Sequence, residues 1–178
     1  RRDFTVNAMA IVLTNNLQLT TYDSLLVDPF GGKKDLKAKL IRAAGKAEDR
    51  FGEDALRLLR AVRFACELGF AIEGKTAVAL KAKAPGLEFV SQERIRDEFS
   101  KILTASLGDK GVEMLLSFGL LKYVVPELLE GVGVGQNKHH IYTVYEHNLK
   151  ALGYAVSKKF PLDLRIASLL HDVGKPRT

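Results

Sequence analysis

The sequence contains little of what several common protein classes require. It has a single cysteine, Cys66, among 178 residues, so an internal disulfide framework is excluded and a reducing, cytoplasmic compartment is expected. No apolar run is long enough to cross a bilayer and no segment resembles a signal peptide, so we expect no membrane partner. Blocks of lysine or arginine are also missing, although the net charge is +6. Any surface for a polyanion such as RNA therefore has to be assembled by the fold.

The residues that are present predict a mainly α fold with a short α/β part at its start. Residues 1–45 combine a short helix over Thr5–Ala10, one helical turn over Lys33–Lys37 and several β-forming runs. These runs are Ile11–Leu13, Leu17–Tyr22, Leu25–Val27 and Leu40–Ile41. From residue 46 onward the apolar spacing is helical, with glycine or proline between the segments. The predicted helices span residues 53–69, 76–84, 91–105, 109–118, 141–156 and 162–171.

One pair of side chains on the first of these helices points to recognition of a ligand. Asp54 and Arg57 are three residues apart, so on a helix they lie on neighbouring parts of one face. A carboxylate acceptor and a forked guanidinium donor can together read the hydrogen-bonding edge of a nucleobase. The alternative is a surface ion pair, which contributes a few tenths of a kcal/mol to stability.

The first residues form a second candidate site. Arg1, Arg2 and Asp3 precede the short helix, which also carries Asn7. Two guanidinium groups at a helix start favour an anion, and Asp3 could accept hydrogen bonds from sugar hydroxyls. The alternative is a capped helix with solvated arginines.

A third candidate site lies near the end of the sequence, where all four histidines occur. His147 is on one predicted helix, and the next helix ends at His171 and Asp172. Two imidazoles and a carboxylate brought together by successive helices can bind a divalent metal. The alternative is that these histidines are polar residues in helix contacts. His139 and His140 precede the helix and are less favoured as ligands.

Three motifs, in this order and at these distances, resemble the tRNA nucleotidyltransferase/poly(A) polymerase family, and within it the bacterial-type (class II) CCA-adding enzymes and poly(A) polymerases. They are RRDFTVNAMA, DPFGGKKDLKAKLIRA and EDRFGEDALRLLRAVRFACELGF. The resemblance implies that residues 1–45 end a nucleotidyltransferase head domain. Residues 46–135 would be a helical neck that selects the nucleotide and binds RNA. Residues 136–178, with YEHNLKAL and HDVGKP, would begin an HD-type domain.

The resemblance also assigns roles to individual residues. Asp54 and Arg57 match the positions that pair with the base of incoming CTP or ATP. The stretch Asp28–Gly32, with Gly31, matches a hinge between head and neck. The ribose and triphosphate would be held by Arg1, Arg2, Asp3, Asn7 and Arg60, and Arg63 continues the arginine-rich helix.

The family's metal-binding Asp-x-Asp pair lies upstream of the first motif. Nucleotidyl transfer needs Mg²⁺ held by such carboxylates, so we expect this sequence to be a segment of a longer protein and to be inactive alone. A further aspartate of the HD-type site would lie downstream.

The function that these features predict is selection of CTP and ATP and their addition to the 3′ end of tRNA or another RNA. Poly(A) synthesis by the same family is an alternative, because the two activities share every motif quoted above. An HD-type metal-dependent phosphohydrolase and a non-catalytic RNA-binding helical module are two further alternatives.

Overall fold

The structure, a computed structural model, describes residues 2–12, 26–135 and 141–177. It is mainly helical, as the sequence predicts. The described α-helices are α1 (Gly32–Ala38), α2 (Ala47–Glu53), α3 (Leu56–Leu68), α4 (Gly74–Lys83), α5 (Gln92–Thr104), α6 (Gly108–Ser117), α7 (Leu121–Val124), α8 (Glu127–Glu130), α9 (Val144–Ser157) and α10 (Leu162–Leu170). Three short 3₁₀-helices accompany them at Thr5–Asn7, Ala84–Phe89 and Lys175–Arg177. Within the described ranges, none of these helices has the length and apolar character needed to span a membrane.

The strands are short and form two separate pairs. They are β1 (Ala10–Ile11), β2 (Leu26–Val27), β3 (Leu40–Ile41) and β4 (Ala71–Ile72). β1 pairs with β2 in an antiparallel register, and β3 pairs with β4 in a parallel register. The prediction at Leu40–Ile41 is confirmed, whereas β4 was not predicted because two residues carry no periodicity. The predicted run Leu17–Tyr22 lies outside the described residues.

The prediction of one continuous helix over residues 53–69 is wrong. The chain forms α2 and α3, with a break at Asp54 and Ala55. Asp54 has an extended backbone, and its Oδ1 accepts a hydrogen bond from the backbone N–H of Leu56 at 3.1 Å. Aspartate stabilises a helix start in this way better than it fits a helix interior. Asp54 therefore precedes α3 instead of lying one turn before Arg57 on the same helix.

The remaining long helices agree with the prediction to within three residues at either end. The predicted helix over Thr5–Ala10 is reduced to the 3₁₀ turn Thr5–Asn7. α2, α7 and α8 were not predicted as separate helices, because none of them exceeds seven residues.

α3 lies at the centre of the core. Its side chains Leu58, Leu59, Val62 and Cys66 are fully buried, and α5 and α6 pack against it. α9 packs on α6, and α10 packs on both α9 and α5. One hydrophobic cluster therefore includes residues on both sides of the predicted domain boundary after residue 135, from Phe4 to Leu169.

The first described residues are fixed to this core by backbone and ring contacts. Phe4 bridges to Ala43, and the N–H of Thr5 donates to the carbonyl of Arg42 at 2.9 Å. The fully buried Phe4 ring meets Phe64 of α3 edge to face, with 5.6 Å between the ring centroids. These contacts hold Asp3 above the charged face of α3.

Candidate functional site

Asp3 joins two arginines of α3. Its Oδ1 lies 3.0 Å from Nε of Arg57, and its Oδ2 lies 2.5 Å from Nη2 of Arg60. Asp3 is only 8% exposed, so both of its oxygens are engaged within the protein. We call Asp3, Glu53, Arg57 and Arg60 the Asp3 network. The family resemblance predicts that Asp3 and Arg60 hold the ribose or triphosphate. In the structure these two side chains contact each other.

Arg57 is held from a second side by the end of α2. Its Nη1 donates to Oε2 of Glu53 at 2.8 Å and to the carbonyl of Arg50 at 2.9 Å. The side chain is 13% exposed, and its Nη2 makes no hydrogen bond to another residue in the described ranges. Three oxygen atoms therefore orient the guanidinium of Arg57, and its Nη2 can donate a hydrogen bond to a ligand.

A cleft of about 530 Å³ opens beside this network. One wall is formed by Phe51–Ala55 and the other by side chains between Ala82 and Arg94. Oδ2 of Asp54 accepts from Nη2 of Arg94 across the cleft at 2.9 Å. Asp54 is about one third exposed and Arg94 about half exposed, so both remain open to a ligand.

The structure therefore brings Asp54 to an open cleft, while Arg57 does not line it. The cleft partner of Asp54 is Arg94, which sequence reasoning missed. Arg94 lies on the exposed face of the amphipathic helix α5, 40 residues away from Asp54. No local pattern reveals a contact at that separation.

The other residues assigned to ribose and triphosphate have varied surroundings. Arg2 is exposed, and Arg1 lies outside the described residues. Oδ1 of Asn7 accepts from the N–H of Phe4 at 3.1 Å, which closes the 3₁₀ turn. Arg63 lies with Nε 3.1 Å from Oε2 of Glu98 and stacks over the Phe64 ring. The side chains of Asn7 and Arg63 thus stabilise the fold around the network.

The predicted hinge is a tightly packed turn. Oδ1 and Oδ2 of Asp28 accept from the N–H groups of Gly32 and Lys33 at 2.7 and 2.9 Å, and the Lys33 bond is the main reason that the pKa of Asp28 is lowered. Gly31 has a φ of +74°, and a Cβ on Gly32 would lie 2.2 Å from the carbonyl oxygen of Thr5. Glycine is therefore required at Gly32 by lack of space, and its positive φ favours glycine at Gly31.

His147, His171 and Asp172 form a compact group that we call the histidine cluster. One potential ligand atom from each lies within 4.8 Å of the others. The two Nε2 atoms are 3.0 Å apart, and Oδ2 of Asp172 lies 3.4 Å from His147 and 3.5 Å from His171. α9 supplies the first histidine, and the residues that directly follow α10 supply the other two.

A hydrogen bond to the backbone sets the tautomer of His171 in the histidine cluster. Nδ1 of His171 lies 2.9 Å from the carbonyl of Ser168, which can only accept, so Nδ1 carries the proton and Nε2 presents a lone pair. Burial raises the pKa of Asp172, but the ammonium of Lys175, 2.6 Å away, and the two imidazoles outweigh burial and leave that pKa lowered. Two nitrogens and an ionised carboxylate suit a borderline cation such as Zn²⁺.

The sequence of this chain is similar to those of known proteins. A profile described as the poly A polymerase head domain matches residues 1–42, and one described as the probable RNA and SrmB-binding site of polymerase A matches residues 69–131. The chain is 41% identical to an A-adding tRNA nucleotidyltransferase of Deinococcus radiodurans over 185 aligned positions. That alignment covers 100% of this chain and 40% of the relative.

Solved structures of similar proteins have the same fold. The CCA-adding enzyme of Bacillus stearothermophilus in complex with CTP superimposes with a TM-score of 0.64 at 30% identity, over 98% of this chain and 44% of that one. A tRNA nucleotidyltransferase complexed with a primer tRNA and an incoming ATP analog gives a TM-score of 0.69 at 29% identity, over 96% and 47%.

The chain spans about two fifths of the length of the Deinococcus relative that it matches. Within that span the head-domain and RNA-binding profiles fall in the order that the three sequence motifs predicted. The chain thus belongs to the tRNA nucleotidyltransferase/poly(A) polymerase family, as a segment running from the head domain into the helical region that follows it.

Proposed function

We propose that this chain is the nucleotide-selecting and RNA-binding part of a tRNA nucleotidyltransferase that adds cytidine and adenosine to the 3′ end of tRNA. The observation that carries the proposal is the open cleft that Asp54 and Arg94 line, together with the guanidinium of Arg57, which Glu53 and the Arg50 carbonyl hold behind the Asp54 wall. A cytoplasmic location suits the buried, unmodified thiol of Cys66.

The proposed selection step is hydrogen-bond readout of the base. Asp54 accepts from the exocyclic amine that cytosine and adenine share, and Arg57 donates to their ring nitrogen. Each carboxylate oxygen of Asp54 already accepts one hydrogen bond and has a lone pair left for a second. Uracil and guanine present a carbonyl where the amine is needed, so a wrong base leaves polar groups unpaired at a cost of about 1–3 kcal/mol per contact.

The Asp3 network gives Arg57 its orientation in this proposal. A guanidinium fixed by Asp3, Glu53 and the Arg50 carbonyl has little freedom to lose when it binds a base. Asp3 is then a positioning residue, and Arg2 is the described residue of the first motif that is exposed enough to approach phosphate. Movement of head relative to neck would occur around the Asp28–Gly32 turn, whose internal hydrogen bonds stay intact.

The chemical step belongs to the whole enzyme. Family members depend on a divalent metal, and we propose Mg²⁺ held by carboxylates upstream of Arg1. The residues of this chain contribute selection of the base and placement of the RNA end.

The range of nucleotides added is the first point to test. The name of the Deinococcus relative, an A-adding enzyme, favours addition of adenosine alone as a second candidate. The full-length enzyme should be given tRNA ending at the position before CCA, and tRNA already ending in CC, each with CTP, ATP or both. Addition of three nucleotides to the first RNA supports CCA addition. Activity with the second RNA alone, using ATP, indicates A addition, and long adenosine tails indicate poly(A) synthesis.

We also propose that the histidine cluster binds a divalent metal, as the start of an HD-type phosphohydrolase site. Its support is the convergence of two imidazoles and an ionised carboxylate from successive helices. His147, His171 and Asp172 would hold the ion, which would polarise a phosphate ester, and Lys175 would offset phosphate charge. Elemental analysis after dialysis against Zn²⁺, Mn²⁺ or Ni²⁺ should give about one ion per chain, and none for His171→Ala. Equal metal content in both proteins would contradict this assignment.

A further inference from the structure

Phe89 is the most exposed large apolar side chain among the described residues, at 90% exposure. It lies on the wall of the Asp54 cleft that faces Asp54 and Ala55, together with Pro85, Gly86 and Arg94. A phenylalanine ring that faces solvent forgoes a favourable burial term of about 1.5–3 kcal/mol. Single exposed apolar side chains are common, so the feature that matters at Phe89 is its place in the Asp54 cleft.

The exposure of Phe89 follows from the 3₁₀-helix that carries it. A 3₁₀-helix has three residues per turn, so residues three apart share one face. Ala84, Leu87 and Val90 occupy the inner face, with exposures of 4%, 0% and 9%. Phe89 shares its face with Gly86 instead. Three buried side chains thus fix the orientation of the 3₁₀-helix. Because Phe89 lies on a different face, its ring points to solvent.

At Gly86 the two walls of the cleft come close together. A Cβ at Gly86 would lie 3.1 Å from the Cβ of Ala55 on the opposite wall, which is closer than ordinary van der Waals contact. Any side chain at Gly86 would therefore narrow the space between the Phe89 wall and the Asp54 wall. Glycine at this position therefore preserves the present width of the cleft beside the Phe89 ring.

The charges of the cleft are separated by wall, with Glu53 and Asp54 on one side and cations on the side of Phe89. Lys83 and Arg94 line the cleft on the Phe89 side, and both are exposed. Cations beside an aromatic ring are the usual composition of sites that bind single-stranded RNA, where bases stack on the ring and the backbone meets the cations.

The two walls of the cleft differ in their relation to the RNA-binding profile. The Phe89 wall, from Ala82 to Arg94, lies entirely within the 69–131 match to an RNA-binding region, whereas Asp54 lies outside both matched ranges. We propose that Phe89 is the stacking platform for the terminal base of the RNA strand that the enzyme extends. The proposal rests on the proposed function and adds to it a specificity-determining residue for the RNA substrate.

Steady-state kinetics of the full-length enzyme test the proposal. Phe89→Ala should raise the KM for tRNA roughly tenfold, as expected for loss of one base–aromatic stack. The KM for ATP and CTP should stay the same. Phe89→Tyr and Phe89→Trp should retain the parent KM, and Phe89→Leu should resemble Phe89→Ala because it lacks a π face. Ile141→Ala, at a position 85% exposed and away from the cleft, is the matched control.

A binding measurement separates this inference from the proposed function. A tRNA with 2-aminopurine as its terminal base should lose fluorescence on binding to the parent protein, and lose clearly less on binding to Phe89→Ala. Equal quenching by Phe89→Ala and Ile141→Ala, or a KM effect confined to ATP and CTP, would overturn the stacking role. Unchanged RNA parameters would point to a protein partner for this ring and would also overturn it. Absence of nucleotide addition by the parent enzyme would refute the proposed function alone, because quenching does not depend on catalysis.

Discussion

The Asp3 network and the histidine cluster differ in how their charges are satisfied. In the Asp3 network each carboxylate faces guanidinium groups of the same chain, and Asp3 alone contacts both Arg57 and Arg60. In the histidine cluster three potential acceptors face one another, with the ammonium of Lys175 at the edge. Paired opposite charges fix side chains in place, whereas two imidazoles beside a carboxylate provide ligand atoms that a metal ion can bind. The first arrangement suits orientation of a ligand, and the second suits capture of a metal ion.

The largest stability effect is expected at Asp3. Asp3→Asn removes the nearly buried carboxylate that bridges Arg57 and Arg60, and should lower the free energy of unfolding by about 2–4 kcal/mol. Asp97→Asn is the control, since Asp97 is more than half exposed and pairs with an exposed Arg96. It should cost no more than about 0.5 kcal/mol. Equal urea midpoints for the two variants would show that the Asp3 network does not fix the N-terminal segment.

A smaller loss is expected at Arg165, which links α10 to the end of α5. This residue of α10 is 6% exposed and donates to the carbonyls of Leu103, Ala105 and Phe160 at 2.6, 3.1 and 2.8 Å. Arg165→Met should cost about 1.5–3 kcal/mol, because those carbonyls lose their charged donor. Urea unfolding is the measurement, and Arg96→Met on the exposed face of α5 is the control. Unchanged stability of Arg165→Met would mean that α10 packs without this donor.

At the histidine cluster, added metal should raise the stability of the chain, whereas mutation without metal should hardly change it. Without added metal, His171→Ala should change stability by less than about 1 kcal/mol, since the side chain is 40% exposed. With Zn²⁺ at about 100 times its dissociation constant, the parent chain should gain about 2.7 kcal/mol and His171→Ala should gain none. Thermal melts with and without Zn²⁺ measure this difference. If Zn²⁺ leaves the melting temperature of the parent chain unchanged, the histidine cluster does not bind Zn²⁺, and its proposed difference from the Asp3 network is wrong.

The sequence predicted the histidine cluster better than the surroundings of Asp54, for physical reasons. His171 and Asp172 are adjacent and His147 lies on the preceding helix, so the sequence offered the three as a candidate group, and the structure brings them together. The break before α3 was missed because the apolar spacing continues through Asp54 and Ala55, while the aspartate cap overrides it locally. The Asp54–Arg94 contact was missed because it depends on packing of α5 against α3. Roles for Arg2, Asn7, Asp28, Gly31 and Gly32 in binding or hinge motion stay predictions.

Base choice by the full-length enzyme tests the central claim most directly. The measurement is the kcat/KM for CTP, ATP, UTP and GTP with the parent, Asp54→Ala and the exposed control Asp97→Ala. If Asp54 reads the amine of the incoming base, Asp54→Ala should reduce discrimination against UTP and GTP by roughly tenfold or more, from the loss of one hydrogen bond to a charged group. Asp97→Ala should keep the parent ratios. Identical incorporation ratios for Asp54→Ala and the parent would contradict the account.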